Sequence, residues 1–164
     1  MTEPDRDPAA SRRLENFPPF QGMDIRVLEL PADWRRTRIL LPLNKNNRNP
    51  GGSMFGGSIA SLADPIPALA CNRQFPEYAV WTSELQIDFR RPGLSDLELR
   101  FELLQSTIDR IDQELSQRGR STPCFEFGFY DRDEVLVAWV KNRVAIRPMG
   151  AEVERVGALP DKRK

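Results

Sequence analysis

The chain contains no histidine. That removes the Ser-His-Asp triad and the Cys-His pair from the possible chemistries. It also removes the commonest general base, leaving carboxylates, perturbed lysines, cysteine and tyrosine. Cysteine is scarce as well. Cys71 and Cys124 lie far apart in apolar surroundings, which reads as two buried thiols. With no histidine and no close cysteine pair, no structural zinc site is expected. Excess charge of either sign is absent too: 24 Lys plus Arg balance 24 Asp plus Glu among 164 residues. A chain without a basic surplus has little to grip a phosphate backbone, so no nucleic-acid partner is expected. No apolar run approaches the roughly 20 residues that span a bilayer, and the opening MTEPDRDPAASRR has no apolar core of a secretory signal. The expected location is the cytoplasm, with no membrane partner.

What remains is ordinary for a globular chain: 40% apolar and 29% charged residues, with enough length for one domain with a real core. The expected organisation is a flexible N-terminal tail over 1–13, a folded domain over 14–149 and a flexible C-terminal tail over 150–164. Strand patterns dominate the middle. MDIRVLELP is an imperfect strand, with room for a bulge near Val27-Leu28. TRILLPL is a second strand, interrupted at Pro42. SELQIDFRR sets Leu85, Ile87 and Phe89 against Glu84, Gln86, Asp88 and Arg90, a clean period of two. DLELRFEL, CFEFGFYD and EVLVAWVKNRVAI continue the pattern. Between them, STIDRIDQELSQRG carries Ile108, Ile111 and Leu115 at helical spacing and ends at Gly119, a C-cap signal. The run from Met54 to Phe75 is small or apolar on every side, the mark of a buried helix, although Pro65 and Pro67 favour a kink. These elements predict an α+β fold: about six antiparallel strands wrapped around one long central helix.

That central segment, NPGGSMFGGSIASLADP, holds the candidate chemistry. Asp64 is the sole carboxylate between Asp33 and Glu77. A buried acid needs a reason, and two readings stand. Asp64-Pro65 can be an N-cap and first-turn pair opening a second helix. Alternatively, Asp64 is an acid–base or nucleophilic carboxylate. The glycines also read two ways. They allow a tight loop, or they let unpaired amides at a helix start approach a developing oxyanion. Gly57 and Asp64 are seven residues apart, about 10 Å along a helix. If both act on one carbonyl, two antiparallel copies of the helix across a two-fold axis would complete each site, so an active site predicts a homodimer.

The stretch from Asn49 to Asp64 resembles the N-x-x-G-x-x-H-G-G…L-A-D signature of hotdog-fold thioesterases of the PaaI-like type. Asn49, Gly52, Gly56, Gly57 and Asp64 match it without a gap. TSELQIDFRRP, from Thr82 to Pro92, is similar to the T-x-E-L-x-I-x-Y-x-R-P strand of the same family. The variants present here look most like a poorly characterised branch known as a domain of unknown function. The resemblance implies a hotdog fold, a homodimer or dimer of dimers (a homotetramer), and an acyl-CoA-type small molecule as substrate. It places Asp64 as base or nucleophile, the Gly57 amide on the thioester carbonyl, Asn49 on the carbonyl or water, and Thr82 beside the carboxylate from the same subunit. Gly56, Phe55, Arg90 and Arg91 form the expected substrate-binding set, with the arginines, Lys45 and Arg48 near the CoA phosphates. Arg90 and Arg91 also read as plain solvated arginines. Trp34, Trp81 and Trp139 read as core or interface anchors.

Phe55 departs from the pattern, standing where the family has histidine. The absence of histidine counts against the dehydratases of the same fold, which use one as base. No cofactor is expected. The reading is an acyl-CoA thioesterase-like hydrolase. The alternative is a non-catalytic hotdog protein that binds an acyl or acyl-CoA ligand as a sensor or scaffold.

Overall fold

The computed structural model describes residues 5–150. The expected C-terminal tail lies outside them but for Gly150. The N-terminal expectation fails over part of its length. Helix α1 spans Pro8–Asn16, and a short α2 spans Pro18–Met23. The Asp7 carboxylate accepts from the amides of Ala9 (2.9 Å) and Ala10 (3.1 Å), and Pro8 opens the helix. A capping acid followed by proline is a strong start signal. Ala10, Ser11 and Leu14 bury one face, while the charged residues that made the segment look loose cover the other.

Six strands follow the expected runs. They are β1 (Arg26–Glu29), β2 (Arg36–Leu41), β3 (Tyr78–Phe89), β4 (Leu97–Glu102), β5 (Cys124–Tyr130) and β6 (Leu136–Pro148). They form one antiparallel sheet in the order β1-β2-β4-β5-β6-β3. The bulge expected near Val27-Leu28 is present, as a register shift between Val27 and Glu29. β2 stops one residue before Pro42, which has no N–H for the ladder. Helix α5 (Gln105–Arg118) ends at Gly119 with φ 66°, the left-handed cap its sequence signals.

The central segment is two helices, α3 (Gly56–Ala63) and α4 (Pro65–Gln74), meeting at Asp64. Ile59, Leu62, Ile66, Ala70 and Cys71 point into the core shared with the sheet. The segment is not buried all round: Ser61, Asp64, Asn72 and Arg73 are exposed. Burial pushes the Cys71 thiol up to about 12. Cys124, expected to be buried, is exposed on β5. Its side chain alternates with those of Phe125, Phe127 and Phe129, which take the inner face. Phe101 meets Phe125 and Phe127 edge to face at 5.6 and 5.5 Å, a favoured geometry for aromatic quadrupoles.

The outer face of the sheet carries an ionic ladder. Glu98 accepts from Arg38 Nε at 2.6 Å and Arg100 Nε at 2.9 Å. Arg100 donates to Glu134 at 2.7 Å and stacks over Tyr130. Desolvation alone would raise the Glu98 pKa, but hydrogen bonds from Arg38 and Arg100 outweigh it and hold it below 4.5. A lowered folded-state pKa means stability that is present above the unfolded value and lost as pH falls through the folded one. Glu98→Gln should therefore cost about 1 kcal/mol near pH 7. The difference from the parent should vanish as the pH falls well below 4.5, which urea unfolding at a series of pH values would read.

Candidate functional site

The break at Asp64 follows from two prolines. In a continuous helix the Ala63 carbonyl would accept from the amide of residue 67, but Pro67 has none. Pro65 likewise supplies no donor. The Ala63 carbonyl finds its donor from the sheet instead, and the Asp64 carbonyl gains sheet donors beside it. Asn142 on β6 donates its Nδ2 to the carbonyls of Ala63 (3.3 Å) and Asp64 (2.9 Å). Thr82 on β3 donates its hydroxyl to the Asp64 carbonyl at 2.8 Å. Asn142 is 0% exposed, and its Oδ1 has no hydrogen-bond partner among the described residues.

A bulge aims Thr82. The register of β3 against β6 shifts between Thr82 and Glu84, leaving Ser83 as the extra residue. One inserted residue reverses which side chains face inward. Tyr78 and Val80 therefore share the helix side with Leu85 and Ile87, and Thr82 joins them. Without the bulge, Thr82 would lie on the outer face with Glu84 and Gln86.

Asp64 has helical dihedrals (φ −58°, ψ −58°) and makes no capping bond with its side chain. The expected second helix does open at Pro65 with Asp64 at its N-cap position, but the side chain does not perform the capping. The expectation of a buried carboxylate fails: Asp64 is exposed in the single chain. Its carboxylate has no hydrogen bond or ion pair among the described residues. The acid sits at a locked break with its backbone fully engaged and its side chain unengaged.

The other end of α3 holds the glycines. No side chain caps this helix. The Ser58 amide donates to the Phe55 carbonyl at 3.0 Å, whereas the Gly56 and Gly57 amides have no acceptor among the described residues. Two aromatic rings flank them. A Cβ on Gly57 would clash with the Phe55 ring at Cε1, and one on Gly56 would lie 3.2 Å from Phe89 Cζ. Each phenyl residue is 53% exposed. Phe89 was not singled out as a site residue. Its signal was its place at the end of the alternating strand, immediately before Arg90 and Arg91.

The remaining candidates divide. Asn49 ties up its own loop. Its Nδ2 donates to Ser53 Oγ at 2.8 Å, and its Oδ1 accepts from the Ser53 amide at 3.2 Å. Gly52 (φ +86°) makes that tight turn possible. Arg90 and Arg91 are exposed just beyond Phe89, and Arg90 Nε pairs with Asp88 at 2.6 Å. Lys45 and Arg48 are exposed in the loop before the glycines. The structure thus brings Phe55, Gly56, Gly57 and Phe89 together at one end of α3, and Asp64, Thr82 and Asn142 at the other.

If Asn142 replaces the donor that Pro67 cannot supply, Asn142→Ala should destabilise the chain by about 2–3 kcal/mol, because it leaves the buried Ala63 carbonyl unpaired. Thr82→Val, which leaves Asn142 on the same Asp64 carbonyl, should cost about 1 kcal/mol. Equilibrium unfolding in urea would rank the two.

Comparison with known proteins agrees with this fold. The family model described as a domain of unknown function, DUF4442, matches residues 9–146. No curated protein is similar enough to match the chain. Among solved structures, a Pseudomonas aeruginosa protein of unknown function described as a probable thioesterase is similar at 22% identity. It aligns with 89% of this chain and 99% of its own, with TM-score 0.76. The PaaI protein of the Escherichia coli phenylacetic acid degradation operon is 22% identical over 84% of this chain and 89% of its own, with TM-score 0.62. A Haemophilus influenzae thioesterase is 12% identical over 90% and 95%, with TM-score 0.66. The six-stranded sheet around a broken central helix is the hotdog fold of these neighbours, and the chain belongs to the DUF4442 family of domains of unknown function.

Proposed function

We propose that this protein hydrolyses an acyl-CoA thioester, with Asp64 as general base or nucleophile and the Gly57 amide as oxyanion donor. One observation carries the reading. A single eight-residue helix has acceptor-free glycine amides at its positive end and an unengaged carboxylate just past its other end. Amides at a helix start stabilise negative charge developing on a carbonyl oxygen. A carboxylate on a rigid backbone can take a proton from water or attack the carbonyl carbon. In the first route, water attacks, Asp64 accepts its proton, and the thiolate leaves to be protonated. In the second, the Asp64 carboxylate attacks the carbonyl carbon, the C–S bond breaks and the thiolate leaves to be protonated, and water then cleaves the acyl-Asp64 anhydride to acid and free carboxylate.

The two ends are about 10 Å apart in one copy, so one site needs the amide of one subunit and the acid of another. The uncovered edge supports this. Among the described residues β3 pairs only with β6, and its inner-face residues Leu85 and Ile87 are only half-buried, with Phe89 exposed. A second copy of the chain along this edge would cover them and bring two α3 helices together. Arg90 and Arg91 then offer cations to the CoA phosphates, while Phe55 and Phe89 flank the thioester. Asn49 acts in this scheme through the loop it holds, and no cofactor is required. A cytoplasmic setting suits such a substrate. No helix among the described residues is long and apolar enough to cross a membrane.

The placement of the Phe55 ring against Gly57 favours a second reading, a non-catalytic binder of an acyl or acyl-CoA ligand. An aromatic cover suits retention of a ligand better than turnover. Thiol release from short, medium, long and aromatic acyl-CoAs separates the two. The parent should turn over at least one class, and Asp64→Asn should lower that rate by about 100-fold or more with an unchanged circular dichroism spectrum. Equal rates in both proteins would remove Asp64 from the mechanism. Copurified acyl-CoA without turnover would establish the binder. Sedimentation should give a dimer or a larger even-numbered assembly, and a monomer at micromolar concentration would defeat the shared site.

A further inference from the structure

A cavity lies away from the glycines, between the N-terminal helices and α4. Its volume is about 580 Å³, within the range of small-molecule sites, about 300–1,000 Å³. Its walls are apolar: Leu14 of α1, Phe17 and Phe20 around the start of α2, Leu69 of α4, and Trp34. The body of a ligand here would be hydrocarbon. Two guanidinium groups, those of Arg13 and Arg73, also line it, and no acidic residue does.

The arginines have no salt bridge among the described residues. Arg73 is fixed in place by its Nε, which donates to the Ala32 carbonyl at 2.9 Å. Asp7 is an acid that feels both cations. Its carboxyl is held below its ordinary value first by the Ala10 amide, and Arg13 and Arg73 contribute less. That carboxylate is committed to capping α1. The cavity thus combines an apolar interior with two cations that no lining acid neutralises. Guanidinium forks match a carboxylate in geometry as well as charge.

We propose that this groove binds a small amphipathic monocarboxylate, an apolar body of medium length ending in a free carboxylate. The hydrocarbon lies against Trp34, Phe20 and Leu69, and the carboxylate meets Arg13 and Arg73. Since Pro65 also lines the groove, the bound acid touches the residue that follows Asp64. The α1–α2 pair therefore has a role besides packing: it supplies one wall and one cation of a binding site. The inference does not depend on thioester hydrolysis.

Calorimetric titration of the full chain with octanoate tests it, with octylamine and octanol as controls. Octanoate should bind saturably, one per chain. Octylamine should not bind, and octanol should bind more weakly. Hexanoate should be weaker by about fourfold for each methylene removed. Arg13→Ala and Arg73→Ala should each weaken octanoate by about fivefold, and Arg13→Lys should restore most of the affinity. Octanoate should also change tryptophan fluorescence, and Trp34→Phe should abolish that change. Should Arg73→Ala fail to fold for want of the Ala32 contact, Arg13→Ala and the ligand series decide alone. Equal affinity for octanoate and octanol, binding of octylamine, or indifference to the Arg13 substitution would overturn the assignment. So would a fluorescence change driven by protein concentration alone, which would make the groove a contact between copies. None of these readouts involves turnover, so failure here and failure of the thioesterase reading are distinguishable.

Discussion

Two prolines in one short segment create the constraint around which this molecule is arranged. Pro65 and Pro67 cannot donate to the helix they occupy, and the carbonyl of Ala63 is buried with the core. An unpaired buried carbonyl costs about 1–3 kcal/mol. The sheet answers with the Asn142 amide and the Thr82 hydroxyl, both aimed at the break. A buried asparagine on a strand otherwise lined by valine and alanine would itself be costly without those partners. The break and the Asn142 Nδ2 satisfy each other, and together they tie α3 and α4 to β3 and β6. Asp64 inherits that rigidity: its backbone is held on the sheet side while its carboxylate faces outward.

The same logic governs β3. The bulge at Ser83 lets a single strand present Thr82 to the helix break and still put Leu85, Ile87 and Phe89 on the inner face. A strand with strict alternation could do one or the other. The strand pays for this service by standing at the sheet edge with its apolar face half-open. Exposed edges are ordinarily a hazard. Here Glu84 pairs with Arg143 and Asp88 with Arg90, so charge lines the outward side and leaves the inward side for a partner. The proposed dimer makes use of the feature that a solitary chain would find awkward.

Much of the fold was legible in advance, for identifiable reasons. Strands betray themselves through their period of two, and each of the six expected runs holds a strand, although β3 begins five residues earlier, at Tyr78, across the bulge at Ser83. The Leu28 bulge and the Gly119 cap were also readable, since each rests on a local clash of pattern or a local dihedral. The N-terminal helix was not recognised, although its start signal was present. Asp7-Pro8 is the same dipeptide type as Asp64-Pro65, and of the two acids at N-cap positions only Asp7 caps with its side chain. Spacing alone could not tell them apart. In the first, Asp7 itself is extended, and its side chain is free to turn back onto Ala9 and Ala10. In the second, α3 runs into Asp64 and holds it helical. Asn142 stayed hidden because one polar residue among apolar neighbours reads as noise until the carbonyls it serves are placed opposite it.

What the sequence by itself determined is therefore local or periodic: strand faces, turns, the lack of any histidine base, the lone acid in a glycine-led segment, and the resemblance to hotdog thioesterases carried by the motifs around it. Backbone dihedral preferences and side-chain alternation act over a few residues, so a few residues suffice to read them. Only the tertiary structure decided that Asp64 is exposed, that Asn142 and Thr82 hold its carbonyl, that Phe89 joins Phe55 over the glycines, and that a groove with two arginines opens beside α4. Each of those facts joins residues tens of positions apart, and their distance is set by how the helices settle on the sheet. Packing is a property of the whole core, and no window of the chain contains it.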